Sequence, residues 1–322
     1  MATQATSKFA FLICVTLCLA PLVPLPTELA AAVAPAALIL GTILALTLGN
    51  PYSAQTKPLQ KTLLQAAVVA LGFSMDINKV IQAGSSGIIF SLASITAVFL
   101  IGHLVTKVLK IRPITGLLVS TGTAICGGSA IAAISSVVDA PEEDISVAIG
   151  TIFILNGIAL ILFPILGHAL GLTQHQFGIW AGIAIHDVAS VAGAGTAYGP
   201  EALDTATAVK LSRVLFLIPI TAIVAYFHYK YSDKSEKTKI QIPWFIGLFI
   251  LASLARTAFP PIAEFAPIIK QIASTGFALS LFFIGTALSK KALKSVGVRP
   301  LILGIILWIF ISVAAFLAVK AT

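Results

Sequence analysis

Charge is scarce in this chain: 10% of its 322 residues are Asp, Glu, Lys or Arg, against about 25% in a soluble domain. That shortage excludes an ordinary water-soluble globule. Cysteine is scarce as well. Cys14, Cys18 and Cys126 all lie in apolar segments, and none has metal-ligand spacing. A disulfide scaffold and a zinc site are therefore not expected. The chain has no P-loop and no nucleophile motif, so it does not read as an enzyme. It also lacks a Lys/Arg run interleaved with aromatics, so the net charge of +8 does not point to nucleic acid. Ten-residue alternation of apolar and polar residues is missing too, which argues against a β-barrel.

What the chain has is apolar length. Hydrophobic residues make up 58% of it, and mean hydropathy is +1.03. This composition predicts an all-α integral membrane protein in a lipid bilayer. With roughly 20 residues per spanning helix, about eleven transmembrane helices are expected. They fall near 8–25, 29–49, 58–74, 84–106, 113–138, 144–170, 176–199, 202–228, 240–257, 270–288 and 299–319. Connections are short, so residues 1–322 read as a single polytopic membrane domain. Residues 1–28 would be an extra N-terminal helix and 29–322 the bundle. Lys8, the apolar run Phe9 to Ala20 and PLVPLP also fit a secretory signal peptide, but no A-x-A site follows promptly. The polar stretch Tyr229 to Lys239 reads as a solvated loop.

Basic residues divide unevenly across these spans. With the N-terminus inside, inner segments hold Lys8, Lys57, Lys61, Lys107, Lys110, Arg112, Lys230, Lys234, Lys237, Lys239, Lys290, Lys291, Lys294 and Arg299. Outer segments hold only Lys79, Arg256, Lys270 and Lys320, which is four against fourteen. The positive-inside rule then predicts a cytoplasmic N-terminus and a C-terminus outside. Asp139, Glu142, Glu143 and Asp144 fall in a solvated outer turn on this reading.

Two internal similarities appear. LGFSMDINKVIQAG (71–84) matches IGTALSKKALKSVG (284–297), seven spans later. An odd offset makes the copies face opposite ways, which is the mark of an inverted repeat. The second similarity sets 124–150 against 184–210, with Cys126 over His186, Ser129 over Ala189 and Asp144 over Asp204. The span count makes this second pair parallel, in conflict with a simple inverted repeat.

The residues that suggest chemistry sit in those repeated segments. His186 and Asp187 interrupt an apolar span, where an ionisable group costs roughly 2.5–3.5 kcal/mol at depth. The matching segment TGTAICGGSA (121–130) carries three Gly among hydroxyls, and each Gly costs a helix about 1 kcal/mol relative to Ala. Both stretches read as helices broken at membrane depth, lining a cavity. Lys210 and Arg213 lie well inside the eighth span at i, i+3, on one helix face. A buried basic pair favours an anionic ligand, with pairing to Asp187 as the competing arrangement. Asn156 is the lone amide of the sixth span. It is read as an interhelical hydrogen bond or a site contact. The candidate substrate-binding set is Cys126, Gly127, Gly128, Ser129, Asn156, His186, Asp187, Ser190, Lys210 and Arg213. No metal or cofactor is expected, and His186 makes coupling to protons chemically available.

TGTAICGGSAIAA, FILNGIALILFPILGHALGLTQHQFGIWAGIAIHDVASV and AVKLSRVLFLIP together resemble the YeiH-type sulfate exporter family of bacterial inner-membrane proteins. The resemblance runs from about residue 30 to the C-terminus. It implies kinship with bile-acid:sodium symporters and cation:proton antiporters. It further implies an inverted-repeat bundle with discontinuous helices crossing near the midplane, a homodimer, and coupling to H+ or Na+. The expected function is a secondary active transporter exporting a small inorganic or sulfur-containing oxyanion, sulfate- or sulfite-like, by alternating access. The alternative is a cation:proton antiporter or sodium-coupled organic anion symporter in which Asp187 binds the cation. A channel and a structural membrane protein without transport are the remaining readings.

Overall fold

The computed structural model describes residues 2–23, 25–86, 88–231, 243–288, 290, 294 and 296–321. All regular structure among them is helical. Most of the loop expected at Tyr229 to Lys239, and part of the repeat copy at 284–297, lie outside the described residues. Among the described residues, six helices are long and apolar enough to cross a membrane. A seventh appears if α3 (Ser53–Gly72) and the start of α4 (Ile77–Ser86), bent by 113°, form one broken span. The expected eleven crossings are therefore not borne out by length and composition.

Side-chain bridges sort the helix ends into two groups. At the near end, where α1 (Ala2–Cys18) starts, the Ser7 hydroxyl donates to the Gly49 carbonyl just past α2 (Thr27–Thr47). Asn50 there donates to Thr286, at the close of α15 (Ala266–Ala287). At the far end α3 gives way to Asp76, which pairs with Arg256 at 3.0 Å, late in α13 (Trp244–Ala258). The chain then returns through α5 (Ile88–Val108) to the near end. α3 and α15 thus run in opposite directions.

Two of the expected crossings turn back instead. α6 (Pro113–Ala124) and α7 (Gly128–Val137) are joined by a three-residue break. α8 (Glu142–Ala169) starts five residues after α7 ends, and its first turn holds the start of α6. Arg112 pairs with Glu143 at 3.0 Å and with Asp144 at 3.1 Å, and the Thr115 hydroxyl donates to Asp144. Outside the spans, the bond to Glu143 and the charge of Asp144 push the Arg112 guanidinium further up from its ordinary value. Both ends of α6–α7 thus lie at the near end, and the segment is a re-entrant hairpin. Asp144 is correspondingly buried at the near end rather than solvated in an outer turn.

At 28 residues, α8 is about 42 Å long and crosses to the far end. There α9 (Gln174–Ala184) enters, breaks at 185–187 and returns as α10 (Val188–Tyr198). The Tyr198 hydroxyl donates to the Leu172 carbonyl at 2.6 Å, and the Gln174 side chain accepts from the Glu201 backbone at 3.0 Å. Tyr198 also stacks on Phe177 and on His168. This is a second hairpin, entering from the opposite end. Each half helix has 10–12 residues, about 15–18 Å, or half a bilayer.

This geometry reconciles the second internal similarity with inversion. Segments 124–150 and 184–210 each run from a hairpin tip through a returning half helix into a crossing helix. One crossing, α8, separates them, so the copies point in opposite directions. The eighth span, Pro200–His228, is one candidate crossing built from two successive helices, α11 (Pro200–Leu215) and α12 (Leu217–Tyr231). After it come α13, the short α14 (Pro261–Glu264), α15 and α16 (Val298–Ala321).

Small residues set the closest approaches, as expected where lipid supplies no hydrophobic drive between helices. α2 and α15 cross at Gly41 and Gly285, where a Cβ would collide with the Phe282 and Leu38 carbonyl oxygens respectively. Gly285→Ala is expected to cost about 1–3 kcal/mol by overpacking. Thermal unfolding in detergent checks this, and an unchanged midpoint would contradict the crossing.

Candidate functional site

The two hairpin tips meet inside the bundle. A Cβ on Gly127 would lie 3.4 Å from the Asp187 Cβ and 3.6 Å from the Asp187 backbone nitrogen. Gly127 has φ +66 and ψ −130, a backbone region open to Gly alone in practice. The break at 125–127 therefore needs glycine at this place. The break at 185–187 is made differently, by extended backbone at Ile185 and Asp187.

A broken helix exposes carbonyls at one stump and N–H groups at the other. Basic side chains occupy both carbonyl stumps. The Lys210 ammonium donates to the Ile185 carbonyl at 2.5 Å, at the end of α9. The Arg213 guanidinium donates to the Ala124 carbonyl at 2.5 Å, at the end of α6, and to Ser94 at 2.9 Å. Cations suit these positions because helix C-termini carry partial negative charge. Both side chains are fully buried. Neither makes an ion pair among the described residues, so the competing Lys210–Asp187 pairing is not formed.

The N–H stumps differ. Asp187 caps α10: its carboxyl accepts from the Ser190 backbone at 2.8 Å and from the Ser190 hydroxyl at 2.6 Å. This explains the Asp–x–x–Ser spacing as an N-cap. α7 starts at Gly128 without a side-chain cap. Its first residues are partly open, with Gly128 half-buried and Ser129 exposed. The Phe153 ring lies 3.3 Å from where a Gly128 Cβ would be.

Beside the tips stands Asn156 of α8. Its side-chain oxygen accepts from the His186 backbone at 3.0 Å. Both His186 ring nitrogens, the Asn156 side-chain nitrogen and Arg213 Nε are buried without a hydrogen-bond partner among the described residues. Such groups are expensive to leave unmet. These are mostly donors, and with two basic groups against one carboxyl they suit an anion. Cys126 is buried at the tip of the first hairpin. The structure thus gathers Cys126, Gly127, Gly128, Asn156, His186, Asp187, Ser190, Lys210 and Arg213 at the crossing, with Ser129 on its open side. Among the described residues no group of His, Cys, Asp or Glu could hold a metal ion.

Sequence reasoning missed Ser91 and Ser94 of α5, which receive the Arg213 guanidinium at 3.4 and 2.9 Å. Their i, i+3 spacing in an apolar helix was the available signal. It also missed the carbonyls of Ala124 and Ile185, which no side-chain pattern marks.

Comparison with known proteins agrees with this picture of a polytopic membrane protein. The family model described as "Conserved hypothetical protein 698" matches residues 8–304. A "UPF0324 membrane protein" of Bacteroides thetaiotaomicron is 48% identical over 87% of this chain and 84% of its own length. One from Bdellovibrio bacteriovorus is 41% identical over 95% and 92%, and one from Porphyromonas gingivalis is 44% identical over 87% and 85%. No solved structure matches the chain. A family match over most of the length, with relatives this similar along nearly their whole chains, makes the protein a member of the UPF0324 membrane protein family.

Proposed function

We propose that the chain is a secondary active transporter moving a small inorganic or sulfur-containing oxyanion by alternating access. One observation carries the reading. Two hairpins enter from opposite ends and meet at a buried cluster rich in unmet donors. A purely structural protein has no need of two helices broken at depth, whose loose ends then require buried Lys210, Arg213 and Asp187. A channel needs a continuous path, whereas α10 is buried from Val188 through Gly195. Broken helices at mid-depth are the usual architecture of secondary transporters. The oxyanion is favoured because Asn156, His186 and Arg213 offer donors, and planar guanidinium geometry suits oxygens. A cation site on Asp187 is less favoured, since Ser190 already occupies both its oxygens.

The proposal extends to export across a bacterial inner membrane, with a cytoplasmic near end, and to coupling with H+ or Na+. A homodimer completes it. The hairpin geometry leaves the basic asymmetry intact, because the segments it reassigns, 138–141 and 170–173, carry no Lys or Arg.

Proteoliposome flux under imposed sulfate, sulfite, proton and sodium gradients tests the reading. Oxyanion-dependent flux is expected, falling at least about tenfold in Lys210→Ala and in Arg213→Ala, since a hydrogen bond to a charged group is worth about 1.5–3 kcal/mol. Cation flux that needs Asp187 and no anion would replace this reading with the antiporter.

A further inference from the structure

The two basic residues make contacts that a pure substrate ligand would not need. Lys210 and Arg213 lie one helical turn apart on α11, and each holds the carbonyl stump of a different hairpin. Those hairpins open toward opposite ends. One crossing helix thus grips both tips, with a separate latch for each.

The hairpins are not equally enclosed. On α7 the residues Ser129, Ala132 and Ser136 form an exposed stripe from the tip to the near end. Their side chains are small, and two carry hydroxyls. Exposed positions on α8 toward its far half are instead Ile158, Ile161, Leu162 and Ile165, a surface that suits lipid. The α7 stripe suits water. On α10 no residue from Val188 to Gly195 is exposed.

We infer that the hairpins α6–α7 and α9–α10 are two opposing gates latched independently by Arg213 and Lys210, and that the exposed face of α7 is reached from the near end in this structure. The inference rests on the transport reading and deepens it. An oxyanion at the tips competes with one carbonyl stump for its cation, because a charged oxygen is the stronger acceptor. Releasing Arg213 from Ala124 frees the near gate; releasing Lys210 from Ile185 frees the far gate. Both cations sit on one rigid helix, so strain at one latch reaches the other over a single turn.

The test is thiol labelling of the full-length protein in vesicles of both orientations, with a membrane-impermeant maleimide. In a Cys14→Ser, Cys18→Ser background, Cys126 reports the first tip. Adding Cys126→Ser and Ala189→Cys reports the second. Arg213→Met is expected to speed Cys126 labelling about tenfold or more from the near end only. Lys210→Met is expected to do the same for Ala189→Cys from the far end only. Arg213→Lys and Lys210→Arg keep a cation at each stump and are expected to remain near the parent rate. Labelling from the same end in both variants, or equally from both ends, overturns the gates.

Should a methionine variant fail to fold, Ser129→Cys with every latch intact still decides. It is expected to label from the near end alone, and labelling from neither face or from the far face refutes near-end access to α7. Labelling needs no flux, so the two readings fail separately. Side-specific labelling without transport removes the transporter and keeps the gates. Oxyanion flux with side-independent labelling removes the gates and keeps the transporter.

Discussion

Asp187→Ala is expected to abolish oxyanion flux and to lower the melting midpoint strongly, while Asp187→Asn keeps the fold. The alanine removes both acceptors for Ser190. Losing an N-cap costs about 1 kcal/mol. It also leaves the buried Ser190 backbone N–H and hydroxyl without their acceptor, and an unmet buried donor costs about 1–3 kcal/mol. Asparagine keeps an oxygen for the Ser190 backbone, and the Ser190 hydroxyl can rotate to accept from the new amide. The cap survives and only the charge is lost. On the anion reading, Asp187→Asn retains oxyanion flux but loses its dependence on a proton or sodium gradient. On the cation reading it loses all flux. Melting curves for the two variants, measured beside gradient-dependent flux, separate these outcomes. A folded Asp187→Asn protein with no oxyanion uptake would sink the anion assignment.

The breaks were legible in the sequence because membrane depth makes polar groups conspicuous. Three glycines among hydroxyls and a His–Asp pair have few uses inside an apolar helix. Lys210 and Arg213 stood out for the same reason. Legibility ended at direction. A half helix, a break and a second half helix together have the length of one crossing, so hydropathy cannot distinguish passage from return. What distinguishes them is contact at the base of each hairpin. The Tyr198 hydroxyl meets the Leu172 carbonyl across 26 residues of chain, and Thr115 meets Asp144 across 29. Those bonds require the ends to come back together.

That missing information produced the conflict over segments 124–150 and 184–210, which are offset by 60 residues. Taken as crossings or as returns, the two hairpins leave the number of crossings odd and the basic asymmetry the same, so neither parity nor the positive-inside rule separates the two arrangements. The partners of the basic pair were hidden for a different reason. Their acceptors are the carbonyls of Ala124 and Ile185, and every residue has a carbonyl. Only a broken helix leaves one unspent at depth. Sequence alone thus pointed Lys210 and Arg213 toward an outside ligand, whereas in the structure their first partners are the stumps of the breaks.

Gly127→Val is expected to eliminate flux and to destabilise more than Gly127→Ala, and the difference measures how closely the tips meet. The alanine methyl would sit 3.4 Å from the Asp187 Cβ and the Ile152 side chain, ordinary contact distances. Its cost is therefore the backbone: a side chain at φ +66 and ψ −130 carries about 1–3 kcal/mol of strain. Valine adds two methyl groups in the gap between the tips, and overpacking of that kind costs about 1–3 kcal/mol more. Gly128→Ala serves as the comparison one residue away. Its methyl meets only the Phe153 ring, at 3.3 Å, and its backbone is helical. A ring edge can shift by a few tenths of an ångström, so this variant is expected to melt within about 1 kcal/mol of the parent. The predicted order of stability is parent, Gly128→Ala, Gly127→Ala, Gly127→Val, read by thermal unfolding in one detergent. If Gly127→Val melts with Gly127→Ala and still carries flux, the tips do not pack against each other, and a gate that works through their contact has no physical basis.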